Sequence, residues 1–332
     1  MALNSQFYIE RLPLESRCYE AISHPAALLD IKAPWQMGKT SLVLRIMNQA
    51  RQLGYRVLVV NLHQAHSTLF SHLDKFLTWF CTTIARKLEQ GGASREQLAG
   101  SSSKDNCTAF MENFVLAAAD APVLLVLENL DAIFPYPEMA DDFLRLLRFW
   151  QEQSTYGDKN SILWEKLRLV LVRGTGLLDV PLNFYQYPLL MGLTIELQPF
   201  TPEQVDELAR RHELHLSSQQ LEQFHQLVAG HPYLVRLALY HIIGDNISIE
   251  EAIATASSNA SIYRHHLHQL LGYLQQHPVL AAAFADVLHS PTPIKLELKL
   301  ASQLHTLGLV DIKDNGVTAS CELYRQYFQD MF

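Results

Sequence analysis

The amino-acid sequence predicts an α/β fold: a parallel β-sheet with helices on both faces, then an α-helical segment, then a C-terminal winged helix. Three observations lead there. Up to about residue 199, short aliphatic runs alternate with amphipathic helical stretches, the pattern of repeated βαβ units. Beyond Phe200 only helical periods continue, to about residue 257. From about residue 262, two or three helices lead into Gly308 to Lys313 and Val317 to Ser320, which flank Asp314-Asn315-Gly316 and read as a β-hairpin around an Asn-Gly turn. The expected boundaries are 1–199 for the αβα core, 200–258 for the helical segment and 259–332 for the winged helix.

Residues 27 to 32, Ala-Leu-Leu-Asp-Ile-Lys, are mostly apolar and stop at Ala33-Pro34, as a buried parallel strand entering a loop does. A helix opens at Lys39 and Thr40, with Leu42, Val43, Ile46 and Ala50 at helical spacing, and Arg56 to Leu62 is a second β-branched run. Leu69, Leu73, Phe76, Phe80, Ile84 and Leu88 mark an amphipathic helix that ends near Gly91-Gly92. Residues 91 to 106, with Ser101-Ser102-Ser103, are expected to form an exposed loop, followed by a helix that carries Phe110 and Phe114. Pro122 to Leu127 is the most apolar strand; Phe143, Leu146, Leu147 and Trp150 share a helical face, and Leu167 to Val172 and Leu193 to Leu197 supply the fourth and fifth strands. Thr201-Pro202-Glu203-Gln204 is an N-cap with proline at the first helical position.

The composition suits a soluble globular chain. Of 332 residues, 48% are hydrophobic and 18% charged, and no stretch approaches the roughly 18 apolar residues that a membrane span needs. The N-terminus lacks a basic segment followed by an apolar run, so a cytoplasmic location is expected and no membrane partner. Cys18, Cys81, Cys107 and Cys321 have no metal-ligand spacing and read as buried thiols. A net charge of −8 gives no global attraction to phosphate backbones.

Residues 33 to 40, Ala-Pro-Trp-Gln-Met-Gly-Lys-Thr, fit a phosphate-binding loop between a strand and a helix, except that Ala33 stands where the pattern has its first glycine. Gly38 lets backbone amides approach phosphates, and the helix N-terminus adds unpaired N–H groups for an anion; Gln36, Met37 and Ser41 belong to the same cradle. Lys39 would reach the β and γ phosphates, and the Thr40 hydroxyl would hold Mg²⁺. The blander reading is a helix that happens to start Gly-Lys-Thr-Ser. The strand at Pro122 decides against it, because it ends Leu127-Glu128-Asn129-Leu130-Asp131, where loops of this kind find an acidic metal ligand and a glutamate that polarises water. Glu128 fills the metal position and Asn129 the base position, and an amide cannot take a proton; Glu128 or Asp131 could serve by a shifted geometry. Thr175, in Arg173-Gly174-Thr175 after the fourth strand, sits where a γ-phosphate sensor would lie, and Arg148, Arg168 and Arg173 are arginine-finger candidates or ordinary element ends. Gly230-His231-Pro232-Tyr233 reads as a glycine stop and proline start between two helices.

Phe7-Tyr8-Ile9-Glu10-Arg11, the loop, Leu127 to Asp131, Phe200 to Gln204, Gly230 to Arg236 and Cys321 to Arg325, taken together, resemble the AAA-like domain proteins of the STAND and origin-recognition-like branch of AAA+ ATPases, over almost the whole chain. The resemblance implies ATP (or ADP) with Mg²⁺ as cofactors, a role for Pro232 on a helical lid that contacts the nucleotide, and Tyr8 and Arg11 near the adenine. It also implies a winged helix that packs back on the core as a switch. Where the family reads Pro-Arg-Gln-Met-Gly-Lys-Thr and Leu-Asp-Glu-Val-Asp, Trp35, Glu128 and Asn129 depart. The expected function is an ATP-binding switch or assembly factor with slow or impaired hydrolysis, which self-associates and acts on a separate effector protein. The alternatives are a winged-helix DNA-binding regulator reading through Lys295 to Leu307, which makes nucleic acid a second partner class, and an active remodelling ATPase.

Overall fold

The computed structural model describes residues 2–88, 103–176, 192–258, 260–313 and 315–332. Its centre is a five-stranded parallel sheet: β1 (Leu28–Lys32), β2 (Arg56–Asn61), β3 (Val123–Glu128), β4 (Leu167–Arg173) and β5 (Leu193–Glu196), in the order β2-β3-β4-β1-β5. Parity along the strands decides which face each side chain meets. On β3, Val123, Leu125 and Leu127 join one apolar cluster with α3 (Leu73–Leu88), α4 (Lys104–Phe110) and α5 (Pro137–Gln153), while Leu124 and Val126 join another with α1 (Leu14–Ser23) and α2 (Lys39–Gln52). With both faces covered, the central strands are nearly continuous apolar runs, which is why they were legible in the sequence. Two charged side chains are buried in these strands, Asp30 in β1 and Arg168 in β4; Arg173 at the end of β4 satisfies Asp30 with two hydrogen bonds, Nε to Oδ1 at 2.9 Å and Nη2 to Oδ2 at 2.8 Å. β4 lies between β1 and β3, so the tips of these three strands lie side by side at the carboxyl edge of the sheet, where ligands bind in such folds.

The described elements depart from the sequence reading in five places. α1 and α6 (Lys159–Trp164) were not anticipated; both are short, and α1 has no side-chain cap. Leu69 belongs to a separate 3₁₀ turn before α3. The expected loop at 91–106 is cut short, because Ser103 caps α4 through the Asn106 amide, and its earlier part lies outside the described residues, as does the Gly91-Gly92 stop. The helix carrying Phe110 and Phe114 changes to π geometry over Met111–Leu116.

Residues after Phe200 fold as α7 (Pro202–Arg211), α8 (Ser218–Val228), α9 (Pro232–Gly244), α10 (Ile249–Ala254), α11 (Arg264–Gln275), α12 (Pro278–His289), α13 (Leu298–Thr306), β6 (Val310–Lys313), β7 (Gly316–Ala319) and α14 (Glu322–Gln329). α7 and α8 open with capping boxes at Thr201 and Ser217. Buried side chains from all of these helices and the hairpin form one continuous core. The hairpin is antiparallel and gains a bridge between Val317 and Ile294; Gly316 is needed there, since a Cβ would lie 2.6 Å from the Ile294 carbonyl oxygen. Asp314 of the expected turn lies outside the described residues.

The N-terminal segment straps this helical body to the sheet. Ile9 is buried in the helical core, Phe7 stacks on His212 at 3.9 Å, and Arg211 donates to the Gln6 and Tyr8 carbonyls. Among the described residues, no helix is long and apolar enough to cross a membrane.

Two buried histidines make the helical body sensitive to acid. Burial lowers His231 to a pKa of about 3 and His266, which shares a 2.8 Å hydrogen bond with the Tyr324 hydroxyl, to about 4, against 6.5 when unfolded. As the pH falls below 6.5 the unfolded chain binds protons that the folded chain refuses, so the stability that these neutral rings provide is full near pH 7 and declines toward pH 4. At pH 5 the loss is about 2 kcal/mol per ring. Denaturant unfolding from pH 7.5 to 5 should show the fall; a flat profile would refute it.

Candidate functional site

The loop leaves β1 at Ala33 and turns twice through left-handed backbone, at Gln36 (φ 61°) and at Gly38 (φ 97°), before α2 begins. The second turn explains the glycine, and the first is strained for a non-glycine residue. Lys39 folds back over the loop and donates from Nζ to the Ala33 and Pro34 carbonyls, both at 2.7 Å. Burial lowers its pKa to about 8, with Asp131 acting in the opposite direction. Thr40, in the first turn of α2, exposes its side chain beside the loop, with Ser41 next to it.

Arg11 closes the loop from the other side. Its Nη2 donates to the Met37 carbonyl at 2.8 Å, and its guanidinium lies 4.8 Å from the centre of the Phe200 ring and close against Gly38. Its Nε is buried without a hydrogen-bond partner, and burial lowers its pKa. Glu15 holds this corner in place, accepting from the Arg11 amide with both oxygens at 2.9 Å and from the Tyr8 hydroxyl at 2.7 Å. Tyr8 in turn carries the Arg45 guanidinium over its ring. Phe7, Tyr8, Arg11, Gly38, Pro232 and Arg236 surround a cavity of about 50 Å³. That is far below the several hundred Å³ of an ordinary small-molecule site, so a nucleobase would enter only as Arg11 or the helical body shifts.

At the tip of β3, Glu128 is half-buried and its carboxyl is raised by burial, with Lys87 of α3 opposing. Asn129 takes left-handed backbone (φ 56°), which asparagine tolerates, and donates from Nδ2 to Asn61 Oδ1 at 2.8 Å; Asn61 ends β2 in register with Glu128. Asp131 accepts from the Gly174 amide at 2.9 Å, and it is the carboxylate whose charge bears on Lys39. Thr175 follows, its hydroxyl 3.2 Å from that of Thr306, at the end of α13. The Thr306 carbonyl also accepts from the Trp35 amide inside the loop at 2.9 Å.

The structure therefore brings Tyr8, Arg11, Pro232 and the loop residues Gln36 to Ser41 together, and sets Glu128, Asn129 and Thr175 along the strand tips next to them. The arginine-finger candidates are engaged within their own chain: Arg173 by Asp30, Arg148 by Glu152, and Arg168 by the Ile22 and Glu165 carbonyls. Four residues of the site escaped the sequence reading. Arg236 follows Pro232 by one helical turn, a spacing that could have flagged it; Asn61 lies inside the strand read from the sequence and ends β2; Glu15 and Thr306 carried no local signal.

An amide-lined turn, a lysine and an α2 hydroxyl suit a phosphate chain, and the unpartnered Arg11 Nε is a further donor for a ligand there. No group of three or more His, Cys, Asp or Glu side chains that could hold a metal ion occurs among the described residues. Mg²⁺, commonly held by one or two protein oxygens plus phosphates and water, would find such oxygens on Thr40 and Glu128, with Asp131 a further carboxylate near Lys39.

A family model described as AAA-like domain matches residues 1–330. Among solved structures, the chain resembles a Walker-type ATPase of Pyrococcus abyssi, with a TM-score of 0.66 at 12% identity over 98% of this chain and 100% of that one. It also resembles the ORC1 protein of Aeropyrum pernix, solved in complex with DNA, with a TM-score of 0.51 at 15% identity over 98% of this chain and 94% of that one. At such identities the likeness is one of fold. No curated protein matches the chain.

Proposed function

The chain belongs to the AAA-like domain family, and we propose that it works as a nucleotide-dependent switch of the STAND type, binding ATP or ADP with Mg²⁺ and hydrolysing it slowly. The observation that carries this reading is Thr306. It is the last residue of α13, yet it touches the phosphate loop through Trp35 and the strand-tip threonine Thr175. A γ phosphate that engaged the Thr175 hydroxyl would compete with Thr306 for it, so triphosphate and diphosphate would favour different positions of the C-terminal body. We read α11 to α13, the hairpin and α14 as the winged-helix unit of that body and α7 to α10 as its lid, with boundaries at 199/200 and 258/259. The released surface would serve self-association or a separate effector protein.

The contact of Thr306 with Thr175 and with the loop supports this over DNA reading, since it ties the end of α13 to the nucleotide-binding core. Remodelling by rapid turnover is disfavoured by Asn129, which supplies no proton acceptor.

The contact can be wedged open. A Cβ on Gly174 would lie 2.8 Å from the Thr306 Cγ2, and Gly174 has no left-handed backbone to complicate the change. Gly174→Ala should loosen α13 and make protease sensitivity of the C-terminal body independent of whether ATP or ADP is present. Adding Thr306→Ser removes the clashing methyl and should restore the difference. If Gly174→Ala behaves as the unmodified chain does, or the unmodified chain shows no nucleotide dependence, the switch reading fails.

A further inference from the structure

Away from the nucleotide site, the face of the sheet covered by α3, α4 and α5 holds two thiols in contact. Cys81 on α3 and Cys107 on α4 are both fully buried, and their sulfurs are 3.2 Å apart with Cys81 Sγ donating to Cys107 Sγ. A disulfide needs about 2.05 Å, so the sulfurs must close by only about 1 Å. Their helices are held by neighbours on both sides. Phe80, beside Cys81, packs edge-on against Phe143 of α5, and Thr108, beside Cys107, accepts from Trp150 Nε1 at 3.0 Å. Lys104 at the start of α4 pairs with Asp142. Once one sulfur of a pair held at this distance has been oxidised, the other reaches it far sooner than any thiol that must diffuse in. The remaining cysteines, Cys18 and Cys321, are buried in the other two apolar clusters.

We infer that Cys81 and Cys107 are a modification site, a thiol pair that a small peroxide converts to a disulfide linking α3 to α4. One sulfur attacks hydrogen peroxide, the O–O bond breaks, and a sulfenic acid and water result. The second sulfur then attacks the sulfenic sulfur, the S–S bond forms, and the hydroxyl leaves as water with the second thiol's proton. In sum the two thiols lose two hydrogens and one peroxide becomes two waters. The hydrogen bond with Cys81, and then burial, push Cys107 well above the ordinary thiol range, so little thiolate is available and closure is slow, on the scale of hours. The same burial would shield the bond from reductant once formed. Because α3 carries Lys87, the cation felt by Glu128, a link at Cys81 fixes the helix that bears on the strand tip. The inference rests on these helices alone and does not depend on nucleotide binding.

The test is to treat the full chain with hydrogen peroxide, remove it with catalase, unfold, alkylate with iodoacetamide and map the peptides. The expected result is two alkylated cysteines, Cys18 and Cys321, and one linked peptide pair containing Cys81 and Cys107, returned to four alkylated cysteines by dithiothreitol. Oxidised chain should also unfold at a higher temperature, a shift absent in Cys81→Ala with Cys107→Ala. Four alkylated cysteines after prolonged treatment, separate sulfinic acids at the two positions, or a link through Cys18 or Cys321 would overturn the inference. The peptide map of the unmodified chain decides the matter even if the double variant does not fold.

Discussion

Asn129→Glu is expected to raise ATP turnover by a factor of about 10² to 10⁴ while leaving nucleotide affinity nearly unchanged, because a positioned general base is worth that much and the present amide cannot accept a proton. The geometry favours the change. Asn129 stands at the tip of β3 with its side chain directed to Asn61 on the neighbouring strand. An Asn61 amide turned over would donate to the new carboxylate, at the cost of the hydrogen bond its oxygen now accepts from the His63 amide at 3.0 Å, a loss of stability of about 1 kcal/mol. The left-handed backbone at Asn129 costs a glutamate about 1 to 2 kcal/mol, which lowers stability without affecting the proton transfer. Turnover measured at saturating ATP and Mg²⁺ is the check. Unchanged turnover with intact binding would mean that Glu128 or Asp131 already serves as base, or that the slow step lies elsewhere.

Lys39→Met is expected to weaken ATP binding by a factor on the order of 10² or more, since charged hydrogen bonds to phosphate contribute roughly 1.5 to 3 kcal/mol and this ammonium would make more than one. Methionine keeps the buried stem but leaves the Ala33 and Pro34 carbonyls without their donor. A stability loss of about 1 kcal/mol is the side effect to expect from that. Calorimetric titration beside a denaturant curve separates the two. A variant that folds and binds ATP as tightly as the unmodified chain would show that the loop is not a phosphate site.

Legibility in the sequence followed locality. The five strands, the loop and the helix capped at Thr201 announce themselves within a few residues, through apolar runs, Gly-Lys-Thr after a strand, and Thr-Pro followed by Gln204. α1 and α6 did not, because each is short and shows no long apolar period. Within the site, Gln36 to Ser41 and Glu128-Asn129 could be placed by spacing. Glu15, Asn61 and Thr306 could not, because their meaning comes from partners four to more than a hundred residues away: Arg11 and Tyr8, Asn129, Trp35 and Thr175. The acidic strand shows the same limit. Glu128 fills the expected slot, yet the carboxylate that acts on Lys39 is Asp131, fixed by the Gly174 amide on the next strand. Sheet order creates that relation, and only the folded chain shows it.

In the proposed switch, this site captures ATP and cleaves it slowly. The direct measurement is an equilibrium titration of the unmodified chain with ATP and Mg²⁺, followed by a hydrolysis assay on the same sample. Saturable binding with turnover far below about 1 s⁻¹, the lower end of ordinary enzyme rates, is the predicted result. No saturable binding up to millimolar ATP, or turnover at or above that rate in the absence of any partner, would contradict it.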